Sequence, residues 1–422
     1  MKIRSFLMAV TLLFSVTLMI FQSAEAREKI LTVGVSATYT GGMSSIGKNV
    51  SDGEIDYLNW LAGQGGIRYK DPVSGKNEQV PLKVIWEDNQ YNVTKAVTAY
   101  KRFRARKANV ITGFGSTPGE ACAANASRNK LPYLSWYSYA SPAGYKPKPQ
   151  YYWTLLPTIC ESVTPMIKWF VKEKWQENRK PRVGLMSANL PSWRVIGKAG
   201  LMDGYIKSIG GELAGIEFIP LLTTDLSVQI SRLVIDKKAD CIVLAGTLSQ
   251  TVLLAKDLLR LKLDPKKTTV ICNASSWDES LFRSIPQEIE GLYGEIHAVT
   301  RDEDVPGMKK VMEVAKWAGR EPKDVVVNYT NGFIGSLVLE EALKRALEKN
   351  GYEKVVKSGE AIRNELHHFK PLDVGGLTDS IGVLHPDEPF FVNSARIVEA
   401  KGGKFRLAGD WTSMDRIKGA LD

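Results

Sequence analysis

From residue 31 the chain runs as a short β-rich strand, a glycine-bearing loop and an amphipathic helix, and at residue 182 the same order starts afresh. The first pass places strands at 31–35, 82–86, 110–112 and 131–135. Helices are expected over the Ile55, Leu58, Leu61 stripe, over 93–106 and over about 120–129. The second pass places strands at 182–186, 215–219, 241–245 and 269–272, and a strong amphipathic helix follows at 331–347. Strands that alternate with helices of this kind form parallel sheets covered on both faces. The fold class predicted is α/β, with two doubly wound parallel-sheet lobes. In such sheets ligands sit beyond the carboxyl ends of the strands, so two facing lobes would hold a solute between them.

The N-terminus carries an address. Lys2 and Arg4 precede an uncharged, mostly apolar run from Phe6 to Phe21, and Ala24-Glu25-Ala26 offers a small-x-small cleavage site. Residues 1–26 are expected to be a cleaved signal peptide, because the apolar run falls short of the ~20 residues of a spanning helix. With no cysteine at that site to carry a lipid, the mature protein is expected to be soluble in the periplasm. A composition of 44% apolar and 24% charged residues is globular, and 422 residues exceed one ordinary core. The net charge of +10 is scattered, as at 101–107, where a helix would present a solvated face. An export signal makes nucleic acid an implausible partner, and the charge hints at most at an anionic ligand or membrane surface. Cys122, Cys160, Cys241 and Cys272 lie far apart without a C-x-x-C pair, which supports neither a zinc cluster nor a thioredoxin-type motif. An oxidising compartment permits a Cys122–Cys160 bridge, while the other pairings and free thiols stay open.

Catalytic machinery is hard to find. The four histidines are His297, His367, His368 and His385, and the adjacent pair belongs to a polar helix end whose two side chains should point to different sides. No H-E-x-x-H, G-x-S-x-G or P-loop pattern occurs. The turn Gly113-Phe-Gly115-Ser-Thr-Pro-Gly119 follows a strand and precedes a helix, a setting in which Ser116, Thr117 and backbone N–H groups favour an anion. The competing reading is that Ser116 or Thr117 merely caps the helix. Aromatic residues gather at Trp136-Tyr137-Ser138-Tyr139, with single ones at Tyr39, Trp193 and Trp277, each at the expected carboxyl end of a strand or in the loop after it. Core packing is the usual role of such residues, but their loop positions point to an aromatic-walled cleft for a small, partly apolar, carboxylate-bearing molecule.

The residues then resemble a known family, the type I periplasmic binding proteins for branched-chain amino acids and related ligands. The likeness runs from about Lys29 to Trp411. It is carried by Val33-Gly-Val35 with Thr40-Gly-Gly42, Leu61-Ala-Gly-Gln-Gly-Gly-Ile67, Glu87-Asp88-Asn89, Gly113-Phe-Gly-Ser116, and Leu131-Pro-Tyr-Leu-Ser135 with Ala140-Ser-Pro142. Leu244-Ala-Gly246, Gly291-Leu-Tyr-Gly294 and Val338-Leu-Glu-Glu-Ala-Leu343 follow in the same order. The resemblance implies lobes joined by a three-crossover hinge, with crossings near Pro157, Ala298 and Asp373. The lobes would be 27–157 plus 298–373 and 158–297 plus 374–422, the first holding the 331–347 helix. Closure around a small-molecule solute would present the protein, a monomer, to an inner-membrane ABC permease.

Residue by residue, Ser116 matches the family serine that holds the ligand carboxylate. Ala140 stands where a second, threonine hydroxyl is common. Trp193 replaces a tyrosine wall, Asn331 a tyrosine at the head of the late helix, with Tyr329 two residues before. Ala274 stands where an acidic residue pairs with the ligand ammonium, which disfavours an α-amino acid because an unpaired buried charge is costly, unless Asp278 steps in. The expected contacts are Ser116, Thr117, Tyr137, Ser138, Tyr139, Ala140, Trp193, Thr247, Asn273 and Asn331, with no metal and no cofactor. Candidate solutes are a hydrophobic amino acid, an aromatic or aliphatic acid, or an amide. A secreted enzyme or a sensory receptor using the same cleft is the alternative, and an adhesive exported protein a third.

Overall fold

The computed structural model describes residues 29–263, 267–382 and 390–422; the expected leader, its cleavage site and His385 lie outside the described residues. Strand β1 (Leu31–Ala37) leads into helix α1 (Ser44–Gly63) and a small antiparallel pair, β2 (Ile67–Lys70) and β3 (Asn77–Val80). There follow β4 (Leu82–Asp88), α2 (Val93–Ala105), β5 (Val110–Phe114), α3 (Ser116–Asn129), β6 (Tyr133–Tyr139) and β7 (Tyr152–Leu156). The first sheet has the order β4-β1-β5-β6-β7 and is parallel throughout. Every residue of β1 is buried, as a central parallel strand with both faces covered requires. Edge strand β4 instead buries Leu82 and Ile85 and exposes Lys83 and Trp86. Asn92 caps α2 through the Lys95 N–H, and the basic run 101–107 is exposed apart from Phe103.

The second sheet repeats the plan. β8 (Arg182–Ala188), β9 (Glu212–Ile219), β10 (Cys241–Ala245), α4 (Leu248–Arg260), β11 (Thr269–Cys272) and β12 (Tyr293–Ile296) give a parallel order β9-β8-β10-β11-β12. In both sheets the first strand lies between the second and the third. The predicted α/β class with two doubly wound lobes is what the chain adopts. Helix α5 (Val327–Asn350), longer at both ends than the expected 331–347, packs along α1 and reaches β6. After it, β13 (Ser394–Lys401) and β14 (Lys404–Ser413) join the β12 edge as an antiparallel hairpin that the sequence reading did not include.

The α1/α5 crossing is unusually close. A Cβ at Gly53 would lie 2.0 Å from the Tyr329 carbonyl oxygen, and one at Gly332 would lie 2.0 Å from that of Val50. Backbone meets backbone there, and only hydrogen fits.

Several local expectations change. Helix α3 starts at Ser116 instead of about residue 120: Gly115 makes the turn at φ +105°, and Pro118 is accommodated in the first turn, where its missing N–H has no helical acceptor. β6 runs Tyr133–Tyr139 against the expected 131–135, so the Trp136–Tyr139 cluster forms the carboxyl end of the strand. Trp277 is core, its indole stacked on Phe405 at 5.3 Å and pressed against Gly294. Tyr39 is tied to Trp86 at 5.3 Å and to Asp52. His367 and His368 stand ring to ring at 4.9 Å, because the helix ends between them. All four cysteines are buried and free, so the permitted Cys122–Cys160 bridge is not made. Among the described residues no cluster of His, Cys, Asp and Glu could hold a metal ion, and no helix is long and apolar enough to cross a membrane.

Candidate functional site

Where strand order reverses, the loops after neighbouring strands part and leave a crevice. In the first lobe that point lies between β1 and β5, in the second between β8 and β10. The residues following β5, β6, β8 and β11 meet there.

On the first side, the oxygen of Ser116 accepts the Tyr139 N–H at 3.0 Å, which fixes the first turn of α3 against β6 and leaves the Ser116 proton to give. Neither Ser116 nor Thr117 caps the helix; the N-cap is Gly115. A Cβ on Gly115 would lie 2.5 Å from the Tyr91 ring. Ser138 accepts the Gly115 N–H at 3.0 Å and lies 2.7 Å from Ser135, whose hydroxyl donates to the Gly115 carbonyl. The Ser138 hydroxyl thus helps to shape the turn. Thr117 lies on the Tyr91 side of the helix. Ala140 gives its N–H to the Leu156 and Pro157 carbonyls at the end of β6.

The pairing of β6 with β7 slips between Ser135 and Tyr139, and within this bulge Tyr137 sits at φ +47°. The aromatic cluster divides by strand alternation. Trp136 packs on Phe391 and on Gly335 of α5, whereas Tyr137 and Tyr139 both reach the other lobe. The Tyr137 ring lies 5.9 Å from His297, and the Tyr139 ring meets Trp193 edge-on at 5.1 Å.

On the second side, Trp193 sits in the 3-10 turn Pro191–Gly197 after β8 and is 2% exposed. Asn273, just past β11, is held by the Gly246 N–H at 3.0 Å and gives its amide to the Tyr139 hydroxyl at 3.0 Å and to Ser275 at 2.8 Å. The Tyr139 hydroxyl is also 3.4 Å from Ser275. Thr247 takes a different part: its hydroxyl caps α4 in a reciprocal pair with Gln250. Asn331 is buried on α5 and gives its amide to Asn328, which donates to Asp278 at 2.9 Å. Tyr329 turns away to Asp56, within the Asp52–Asp56–Arg320 network of the first lobe.

Two buried carboxylates lie at this junction: Asp278, which the sequence offered as a stand-in for Ala274, and Glu295, which sequence reasoning missed. Asp278, fully buried, takes N–H groups from Asn49 of α1 and Asn328 of α5 and so ties the lobes together. Glu295, fully buried on β12, has Oε2 3.4 Å from the Ala274 N–H and Oε1 3.5 Å from His297 Nε2. Ala274 itself carries no carboxylate, but one reaches its N–H from the adjacent strand. Its signal was a Glu and a His in alternation, Glu295-Ile-His297, at the carboxyl end of an otherwise apolar strand. Glu279 adds a third bond between the lobes, accepting the Val327 N–H at 2.7 Å, and burial, followed by the charge of Asp278, pushes its carboxyl up to about 7. Burial first, then Tyr139, Glu295 and Asp278, holds the Tyr137 hydroxyl far above the phenol range; burial and Glu295 do the same to Tyr139. Both phenols are therefore neutral donors at any ordinary pH.

A family model described as periplasmic binding protein matches residues 30–404. No curated protein matches the chain. The fold is similar to that of an ABC transporter substrate-binding protein from Aeropyrum pernix, with a TM-score of 0.77 at 22% identity, covering 93% of this chain and 98% of that one. A branched-chain amino acid ABC transporter protein from Thermus thermophilus with bound valine gives 0.76 at 18%, covering 93% and 98%. An ABC transporter solute-binding protein from Rhodopseudomonas palustris BisB5 in complex with 3,4-dihydroxybenzoic acid gives 0.72 at 19%, covering 92% and 99%.

Proposed function

The chain belongs to the periplasmic binding protein family, and from that premise we propose that it is the solute-binding subunit of an ABC importer, capturing a small carboxylate-bearing solute between its lobes. The observation that carries this reading is the meeting of Tyr139 with Asn273, Ser275 and Trp193 across the cleft. A hydroxyl, an amide and two aromatic faces converge there from both lobes, which suits a partly apolar guest with one polar end. Ser116 receives that end: its oxygen is already engaged by Tyr139 N–H, so its proton donates to a carboxylate beside the first turn of α3. The similar structures with bound valine and 3,4-dihydroxybenzoic acid hold small carboxylates, which supports the same class here. Trp193 and Tyr139 wall the apolar part.

The remaining assignments follow from this role. The protein works outside the cytoplasm, in the periplasm, exported by the 1–26 leader and acting as a monomer that hands its cargo to an inner-membrane permease without turning it over. We assign lobes of 27–157 plus 298 to about 392 and 158–297 plus about 393–422, which keeps the first two expected crossings and moves the last one on from near Asp373. The change of sheet after β7 and again after β12 supports the first two crossings. Bonds from the Phe391 and Val392 N–H groups to the Leu155 carbonyl support a last crossing closer to Asn393 than to Asp373.

Thermal-shift screening of the refolded protein against amino acids, aromatic and aliphatic acids, and amides tests the reading. A carboxylate is expected to raise the melting temperature, with Ser116→Ala weakening it roughly 10- to 100-fold, the loss of a hydrogen bond to a charged group. The solute should be recovered chemically unchanged after long incubation. Turnover, or a carboxylate response indifferent to Ser116→Ala, would defeat it.

A further inference from the structure

We propose that the groove between the short helix Leu281–Ser284, the crossover at 300–303 and the β13–β14 hairpin is a second binding site, apart from the cargo cleft, for a small amphipathic anion. The site goes beyond the capture reading and does not depend on it. The groove encloses about 480 Å³, and none of the residues that meet around Tyr139 lines it. Its floor is one face of the hairpin. The register sets Ala400 opposite Phe405 and Val398 opposite Leu407, and alternation puts Arg396 on the same face. Phe282 closes one wall, its ring 4.9 Å from that of Phe405, while Leu407 is 59% exposed on the open floor. Two lining residues each hold a buried polar atom with no partner among the described residues: Glu279 Oε1 and Arg396 Nε, in residues 9% and 7% exposed. Buried polar atoms are almost always partnered. The rest of the Arg396 guanidinium is engaged, by Glu303 and by the Trp411 ring at 4.9 Å, and Nε is the donor left over.

The sign of the guest follows from the charges around the groove. Arg283 gives an N–H to the Lys323 carbonyl at 3.0 Å, and Arg301 gives one to the Pro322 carbonyl at 3.2 Å. Carbonyls hold these two guanidiniums in place without neutralising them. The acids are largely spoken for. Glu303 takes Arg396 and the Thr300 N–H, the latter at 2.7 Å. Asp302 stands 3.7 Å from Arg301 with its side chain 72% exposed, where water screens the pair. Glu279 accepts the Val327 N–H, and burial pushes its carboxyl up to about 7, so it is only partly ionised at neutral pH. Lys323 is paired with Glu321, and Lys404 and Arg406, on the other face of β14, add positive charge. An acidic group is therefore drawn to the guanidinium forks of Arg283 and Arg301. The apolar remainder of the guest covers Phe282, Phe405 and Leu407.

A matched pair of dyes tests the site by fluorescence titration of the mature protein: 8-anilinonaphthalene-1-sulfonate, and N-phenyl-1-naphthylamine, which has the same rings without the sulfonate. Saturable binding of the sulfonate is expected, with the neutral dye roughly tenfold weaker, and the double variant Arg283→Gln, Arg301→Gln should erase that difference by weakening the sulfonate alone. Leu407→Asn should weaken both dyes. Ser116→Ala, in the cargo cleft, should alter neither. Equal affinity for the two dyes overturns the proposal, as does sulfonate binding that is absent, that survives the loss of both arginines, or that vanishes with Ser116→Ala. The capture reading, tested with carboxylate solutes, stands in each of these cases. The wild-type pair decides the sign of the guest even if the double variant does not fold, and Leu407→Asn, at an exposed position, decides its place.

Discussion

Glu54 sits wholly buried on α1, its carboxyl bonded to the Thr112 hydroxyl and its carbonyl oxygen taking the Ser336 hydroxyl from α5. Burial pushes its pKa up to about 8, against an ordinary 4.5. The folded protein therefore holds it protonated at neutral pH, whereas the unfolded chain ionises it. Its stabilisation is complete below about pH 4.5 and is lost as pH rises towards about 8. Glu120, pushed by burial to about 8, works in the same direction. Glu54→Gln, neutral at every pH, should gain on wild type by up to about 1.4 kcal/mol per pH unit between 5 and 8, read from denaturant melts across that range; parallel curves would show that Glu54 is ionised in the fold. At this scale the sequence was informative where a residue's role follows from the loop it occupies. Ser116 and Trp193 follow strands and were expected at the cleft. Glu295 was not, because its role depends on β12 lying beside β11, which puts its carboxylate next to Ala274 from 21 positions away. Thr247 was read as a contact because a hydroxyl after a strand serves a ligand and a helix cap equally well; Gln250, three residues on, was the sign of the cap.

Helix α1 and helix α5 owe their crossing to two glycines, Gly53 and Gly332, each facing the other helix's backbone. Gly332→Ala must force the helices apart and should cost roughly 1–3 kcal/mol, the usual penalty of overpacking. A matched control at Gly204, where a Cβ would meet nothing within 4 Å, should be near neutral or slightly stabilising. Chemical melts of the two variants check the contrast, and equal effects would mean that the crossing yields easily. Elements were legible where local pattern decides them, as in the short β-rich run of β1 or in α2, expected over 93–106 and found over Val93–Ala105. The β13–β14 hairpin was not read, because its strands alternate only weakly and find their order by pairing with β12; Gly402-Gly403 between them was the available sign. The β6 bulge was equally out of reach. Nothing in Trp136-Tyr137-Ser138-Tyr139 announces a register slip, yet it sets Tyr137 at φ +47°.

Across the whole molecule, Tyr139 to Asn273, Asn49 and Asn328 to Asp278, and Val327 to Glu279 join the lobes directly. The protein can shut on its own contacts, so a solute must wait for an opening. In stopped-flow tryptophan fluorescence the observed association rate should level off at high solute concentration, at the rate of lobe opening. Tyr139→Phe keeps the ring against Trp193 but drops the bonds to Asn273 and Ser275, and should raise that plateau. A rate that climbs linearly without limit, unchanged by Tyr139→Phe, would show that the lobes stand open in solution. The fold at this scale was visible in the sequence from the start, because its strand–loop–helix order is written twice. That doubling has a further consequence. Each lobe offers the loops of the same switch point, but one holds Ser116 and the other Trp193 and Asn273, so the two sides of the cleft are lined by different stretches of the chain. A substitution on one side, such as Ser116→Ala, then changes what that side presents while Trp193 and Asn273 on the other stay as they are.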